Sequence, residues 1–317
     1  MNFAIPAFVN KTKLINKARI FLKHRNPLKY AYYRYEWNNA PKYKKLRDFP
    51  VHLGIEPTNA CNLNCVFCAR HEAKYEKMGF MDFELYKKII DEGSKNKLRS
   101  VKLVRGGESL LHPRFADMIK YAREHGVVDV IFNTNSMLLT PEMSLRIIEA
   151  RPDFVIFSVD APDKQIYESQ RVGSNYETVE NHIKTFVNLK NKLYPKIITR
   201  AHMVYTSETE YLVSKHLERW KKITDEISVI KALNYKEEAC GLKFKCRTPF
   251  RRLDITWDGN VYICDPDYDP KGKLMVGNAN NQSIYEIWHS DKINRIREIF
   301  YKESPELADP CKFCRGA

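Results

Sequence analysis

The sequence predicts an α/β protein built on parallel strands, and two features carry that expectation. Six β-rich runs alternate with amphipathic segments between residues 51 and 230, and near Cys240 the rhythm changes to a hairpin and a helix. A chain of 317 residues accommodates one large domain with a small appendage. The first βα unit pairs a strand over 51–56 (VHLGIE) with a helix over 82–97, for which Asp82 is the natural N-cap. Strands over 100–104, 127–132 and 154–159 follow, with helices over 113–125, 141–149 and 176–193. Pro113 and Pro141 fall where a first helical turn tolerates proline, and Ser174 is placed to cap the third of these helices. A strand over 196–204, a helix over 208–222 and a strand over 226–230 complete the series. Beyond Cys240, residues 250–257 and 260–264 flank Asp258-Gly259, a strong hairpin signal, and one helix runs from Ser283 to about Tyr301. The expected organisation is an extension over 1–50, an α/β body over 51–239 and a hairpin-plus-helix tail over 240–317.

Composition narrows the class. Hydrophobic residues make up 44% and charged residues 29%, which fits a soluble globular protein, and no apolar run approaches the ~20 residues of a spanning helix. The first residues (MNFAIPAFVNKTK) lack a positive stretch ahead of the apolar one and do not read as a signal peptide. The net charge is +14, of which +10 lies in residues 1–50. The basic balance therefore belongs to the extension and not to the body. In that extension Leu14, Ile15, Ala18, Ile20, Phe21 and Leu22 sit among cations, with Tyr30, Tyr32, Tyr33, Tyr35 and Trp37 after them. Three readings stay open: an arm packed on the body, a peripheral contact with an anionic membrane or lipid-linked substrate, and a nucleic-acid contact, the last the least expected.

Eight cysteines, three of them within eight positions, read as intracellular metal ligands rather than a secreted disulfide framework. Cys61, Cys65 and Cys68 lie in the loop leaving the first strand, on the face where parallel barrels build active sites. Three thiolates select zinc or an iron–sulfur cluster and leave one position open. A zinc site completed by His71 is the structural alternative. After the second strand comes Arg105-Gly106-Gly107-Glu108, where glycines let backbone approach a ligand and an exposed Glu108 accepts an amino group.

The C-x-x-x-C-x-aromatic-C pattern of Cys61, Cys65, Phe67 and Cys68, followed by Gly106-Gly107-Glu108, resembles the radical S-adenosylmethionine (SAM) superfamily. The order of βα units resembles that family's partial (β/α)6 TIM-like barrel. The resemblance implies a 4Fe–4S cluster on the three cysteines and SAM chelating the open iron. One electron then yields a 5′-deoxyadenosyl radical that abstracts a substrate hydrogen atom, in a cytoplasmic protein served by a one-electron reductant such as flavodoxin or ferredoxin. It places Phe67 near the adenine and Gly106, Gly107 and Glu108 near the methionyl end. Thr134-Asn135 resembles the turn near the cofactor ribose, with Ser136 where glycine is usual. Ser158 and Arg171 are implied to face the methionyl carboxylate.

A second set, Cys246, Cys264, Cys311 and Cys314, makes a closed four-thiolate cage for zinc or a 4Fe–4S cluster. The DG hairpin, Cys264, Gly277-Asn278, Ser283, Trp288 and the terminal C-x-x-C are similar to the SPASM extension of radical SAM enzymes, and more so to its shortened twitch form. That form implies one auxiliary 4Fe–4S cluster and resembles the 2-deoxy-scyllo-inosamine dehydrogenase type, which oxidises a secondary alcohol. The implied activity is dehydrogenation of a sugar, aminocyclitol or related polyol. Cys240 is left over, either a small buried hydrophobe or a hydrogen-atom donor, which would make the protein an epimerase. A peptide-modifying enzyme and a zinc-stabilised nucleic-acid-binding protein are the remaining alternatives.

Overall fold

The computed structural model describes residues 12–39, 46–68, 70, 77–231, 246–264 and 272–301. Cys240, Cys311, Cys314 and His71 lie outside them. The chain divides into two compact units, one of Met1–Ala31, Asn62–Phe67 and Ile131–Leu233, the other of Tyr32–Cys61, Cys68–Val130 and Asn234–Ala317. Among the described residues no helix is long and apolar enough to cross a membrane.

The first unit begins with α1 (Thr12–Lys23) and the start of α2 (Pro27–Asn39). Its strands are β3 (Asp129–Thr134, from Ile131 on), β4 (Phe154–Ser158), β5 (Ile198–Tyr205) and β6 (Glu226–Lys231), paired in parallel in that order. Between them run α5 (Pro141–Ala150), α6 (Lys164–Gln170), α7 (Tyr176–Leu193) and α8 (Val213–Trp220); α3 (Phe83–Lys95) and α4 (Phe115–Glu124) belong to the other unit. Three local expectations change. The cap of α7 is Asn175, whose Oδ1 accepts the Thr178 N–H, because the Ser174 hydroxyl donates instead to the Arg171 carbonyl at 2.6 Å. The helix expected over 208–222 shortens to α8 behind a 3₁₀ turn, Glu210–Leu212. The seven residues of α6, capped by Asp163, are too few to show a helical period in the sequence.

Residues alternate faces along each strand. Phe157 on β4 meets Phe186 of α7 edge-on at 5.8 Å, so Phe154, Ile156 and Ser158 face away from that helix. Ile20 of α1 is buried with Phe154, Ile156 and Ile198, and Tyr30 and Ile131 pack against them. The described part of the extension in this unit is thus packed at the N-terminal ends of these strands. Its cations are engaged there: Arg25 binds Asp153 at 2.7 Å, and Arg19 and Lys23 bind Asp225. Asp225 also accepts from Lys190 Nζ and from the Thr199 backbone and hydroxyl, each at 2.9 Å. Burial works against its charge, but Lys190 and Lys23 prevail and hold the carboxyl well below the usual range. Asp225→Asn leaves the buried Lys190 ammonium without its counter-charge and is expected to lower unfolding stability by about 3 kcal/mol in denaturant titration.

In the second unit, α2 buries Tyr33, sets Trp37 edge-on to His52 at 5.5 Å, and uses Glu36 to bind Arg47 and Arg99. Its strands are β1 (His52–Ile55), β2 (Ser100–Leu103), β7 (Arg252–Ile255), β8 (Asn260–Tyr262) and β9 (Met275–Asn278), ordered β2-β1-β7-β8-β9. The helices are α3 (Phe83–Lys95), capped by Asp82, and α4 (Phe115–Glu124), with α9 (Ile284–Trp288) and α10 (Asp291–Tyr301) last among the described residues. Pro113 precedes α4 and is not in its first turn. The hairpin is present, with Gly259 at φ +86 where its turn needs a left-handed residue. Its first strand does more than pair with its second: β7 lies parallel to β1, from His52 opposite Arg252 to Ile55 opposite Ile255. The single helix expected over 283–301 is two. Arg297 donates to the Trp288 carbonyl at 2.7 Å and Asn294 to that of His289 at 3.1 Å, which satisfies the end of α9 and lets the chain turn.

Candidate active site

In the second unit, β1 runs out through Glu56 into Thr58, Asn59, Ala60 and Cys61. Glu56 is buried, and its two carboxylate oxygens accept the backbone N–H groups of Gly106 at 3.0 Å and Trp257 at 3.2 Å. One side chain therefore fixes the ends of β1, β2 and β7 together. The residues before Cys61 are held from the other side. Thr58 donates to the Gly79 carbonyl at 2.6 Å, and Asn59 bonds both the Lys77 carbonyl and the Gly79 N–H. The Glu108 N–H donates to the Ala60 carbonyl at 2.8 Å. Gly107 packs so closely here that a Cβ would lie 2.3 Å from the Thr58 oxygen and 2.4 Å from that of Ala60. Gly106, Gly107 and Glu108 are thus seated directly on the residues that lead into the cysteines. The Glu108 side chain is buried rather than exposed, and it accepts the Leu110 N–H at 3.2 Å.

In the first unit, residues 62–67 are stitched to the loop after α6. Asn64 N–H donates to the Val172 carbonyl and Val66 N–H to that of Gln170, both at 2.9 Å, which sets Cys65 opposite Arg171. Arg171 Nη1 lies 3.9 Å from Cys65 Sγ, its guanidinium is 5.8 Å from the Phe67 ring, and its Nε donates to Asp160. Burial opposes the charge on both partners. The carboxylate of Asp160 nevertheless raises the Arg171 pKa, while burial lifts the Asp160 carboxyl above its ordinary value. Asn135, also buried, donates to Asn62 Oδ1 at 2.9 Å and accepts the Met137 N–H at 3.0 Å. Ser136 takes φ +65, the conformation for which glycine is the usual occupant.

Ser158 ends β4 on the face away from α7. It stands beside His202 of β5, and His202 beside Ser228 of β6. One level nearer the strand starts, Arg200 binds Glu226 through two nitrogens. Sequence reasoning passed over His202, Ser228 and the Arg200–Glu226 pair because they follow no motif. The alternation of faces on neighbouring strands was the signal that could have found them.

Of the second cysteine set, Cys246 and Cys264 are described, both half-buried. None of Cys61, Cys65, Cys68, Cys246 and Cys264 is in a disulfide. The donor set fits iron–sulfur chemistry: soft thiols not spent on cross-links, and a glycine packed on the backbone that leads into the first of them.

The radical SAM superfamily pattern matches residues 55–211, and that of the SPASM iron–sulfur cluster-binding domain matches residues 246–315. The chain belongs to the radical SAM superfamily. A tungsten-containing aldehyde ferredoxin oxidoreductase cofactor-modifying protein of Pyrococcus furiosus is 37% identical over 110 residues, 34% of this chain and 30% of that protein. The S-adenosyl-L-methionine-dependent 2-deoxy-scyllo-inosamine dehydrogenase of Niallia circulans is 22% identical over 83% of this chain and 92% of its own length. The crystal structure of BtrN in complex with AdoMet and 2-DOIA superposes with a TM-score of 0.58 at 20% identity, over 84% of this chain and 92% of that one. Streptococcus suis SuiB bound to S-adenosylmethionine gives 0.68 at 17% identity, over 98% of this chain and 84% of that one. The fold is the superfamily's partial TIM-like barrel with small C-terminal strands and helices, and the two matched domains imply 4Fe–4S clusters; the chain spans 30% to 43% of the length of the first curated relatives it matches.

Proposed function

We propose that the enzyme dehydrogenates a secondary alcohol of a sugar, aminocyclitol or related polyol. The observation that carries this reading is the match, at 22% identity, to 92% of the length of a SAM-dependent dehydrogenase. In this reading Cys61, Cys65 and Cys68 hold the SAM-binding cluster, and Cys246, Cys264, Cys311 and Cys314 hold the auxiliary one. The groups they bind would supply reductive cleavage of SAM, hydrogen-atom abstraction from the carbinol carbon, and a sink for the electron left on the substrate.

The chain's own residues do the rest. Gly107 brings the backbone of its loop against the cysteine loop, so the amino-acid end of SAM is received where Gly106, Gly107 and Glu108 meet Ala60. By the superfamily resemblance Asn135 and Ser158 are further cofactor contacts, and Phe67 is the ring for the adenine. His202, between Ser158 and Ser228, receives the hydroxyl proton as the alcohol becomes a ketone, so one hydrogen atom, one proton and one electron leave the substrate.

The test is anaerobic reconstitution followed by turnover with SAM, a one-electron reductant and 2-deoxy-scyllo-inosamine as the first probe of a polyol panel. We expect about eight irons per chain and one ketone per 5′-deoxyadenosine. Solvent deuterium entering the substrate carbon without ketone would replace dehydrogenation by epimerisation with Cys240 as donor. 5′-Deoxyadenosine formed with no polyol consumed would refute the substrate class.

A further inference from the structure

We propose that the buried Asp160–Arg171 pair is a positioning charge for Cys65, setting how readily the cluster held there takes up its electron. The inference rests on the reading above that Cys65 is a cluster ligand. It departs from the expectation that Arg171 serves first as a receptor for the SAM carboxylate.

The placement is imposed by backbone. The N–H groups of Asn64 and Val66 donate to the carbonyls of Val172 and Gln170, so Cys65 and Arg171 face one another across two hydrogen bonds, 106 residues apart in sequence. Arg171 is fastened at both ends. Its N–H donates to the Tyr167 carbonyl at 2.8 Å, and its own carbonyl accepts from the Ser174 hydroxyl and backbone. Its guanidinium spans Asp160 on one edge and the Cys65 sulfur on the other. Asp160 is fully buried, and its second oxygen accepts the Val204 N–H at 2.7 Å, so the carboxylate is fixed to β5 and cannot follow the guanidinium away. The positive end of a rigid, desolvated pair is thereby aimed at one thiolate.

The sign of the effect follows from electrostatics. Reduction adds negative charge to a centre already carrying three thiolates. A guanidinium within reach of one sulfur stabilises the reduced form more than the oxidised form, and the carboxylate behind it takes part of that gain back. Removing the cation and removing the anion should therefore move the potential in opposite directions. A role that only holds the loop together cannot do that.

The experiment is a potentiometric titration followed by electron paramagnetic resonance, on the reconstituted full chain. The SAM-binding cluster is identified as the signal that changes when SAM is added, and the titration itself is run without SAM. Arg171→Gln is expected to weaken reduction by about tenfold, which for one electron is a fall of ~59 mV. Asp160→Asn should shift the same signal upward, and Arg171→Lys, which keeps the charge, should stay nearer the wild type than Arg171→Gln. Iron content and circular dichroism of each variant establish that the fold is retained. If Asp160→Asn does not fold, the comparison of Lys with Gln at position 171 still decides. Equal potentials in the Lys and Gln variants, or shifts of one sign at 160 and 171, would overturn the proposal. So would a weakened SAM affinity in Arg171→Gln with an unmoved potential, since that is the behaviour of a carboxylate receptor. Wild-type protein with no SAM-responsive signal would instead refute the cluster assignment, a separable result.

Discussion

Alanine at any one of Cys61, Cys65 or Cys68 is expected to reduce 5′-deoxyadenosine formation to the background of iron-free protein, while Cys264→Ala retains it. The first half follows from ligand number. Three thiolates leave one iron for SAM, so losing one thiolate removes the cluster's hold on the protein as well as the chemistry. The loop offers little substitute donor chemistry, since its described neighbours to Cys61 and Cys65 are Asn62, Leu63, Asn64, Val66 and Phe67. Nor can it rearrange freely to bring another donor in. Thr58 is bonded to Gly79, Asn59 to Lys77 and Gly79, Ala60 to Glu108, and Asn64 and Val66 to Val172 and Gln170. Cys264 follows β8, away in sequence from that loop, and its replacement should cost only the iron of the auxiliary site. The measurement pairs iron and sulfide content with chromatographic quantitation of 5′-deoxyadenosine. Retained cleavage in Cys65→Ala would move the cluster elsewhere, and a wild-type iron count in Cys264→Ala would remove Cys264 from the auxiliary ligands.

The βα alternation was legible because each unit carries its own period and punctuation: the helix over 176–193 is found with those bounds, and Asp82 and Pro141 stand where their helices begin. The features that escaped are ones in which distant segments decide. Ser174 is as good a cap as Asn175 until the Arg171 carbonyl takes its hydroxyl. The helix over 283–301 has no internal breaker strong enough to announce itself, and it breaks because Arg297 reaches the Trp288 carbonyl. Residues 250–257 read as half of a hairpin, but nothing local says that β7 also lies parallel to β1, 200 positions earlier. Glu56 is the clearest instance. It looks like the polar end of a strand, yet it is a buried carboxylate whose two oxygens join Gly106 and Trp257. For the candidate site, the cysteines and glycines were readable because ligand spacing and backbone access are local properties. His202 and the setting of Arg171 were not, because they arise only when strands and loops are brought side by side.

Gly107→Ala is the substitution expected to have the next largest effect, through geometry rather than ligand loss. Its new methyl would lie 2.3 Å from the Thr58 oxygen, 2.4 Å from the Ala60 oxygen and 2.9 Å from the Asn59 carbonyl carbon, all of them backbone. A flexible side chain could swing away, but these atoms cannot. Thr58 is tied to Gly79 and bridged to Phe80, Asn59 is bonded twice, and Ala60 accepts the Glu108 N–H. The loop carrying Gly106 and Glu108 must then lift from the cysteine loop, straining the bond from Gly106 to Glu56 as it goes. Overpacking of this kind costs about 1–3 kcal/mol of stability. The larger consequence is for SAM, because the surface proposed to receive its amino-acid end is the seam being opened. A displacement worth about 1.4 kcal/mol of binding is tenfold in affinity, and we expect at least that in equilibrium SAM binding to reconstituted protein, with iron content unchanged. Unaltered SAM affinity in a variant with a lowered unfolding midpoint would separate the two effects and leave Gly107 a packing residue only. Loss of affinity with the cluster intact would mean that the close approach of these two loops, which no side chain larger than hydrogen permits, is what shapes the cofactor's seat.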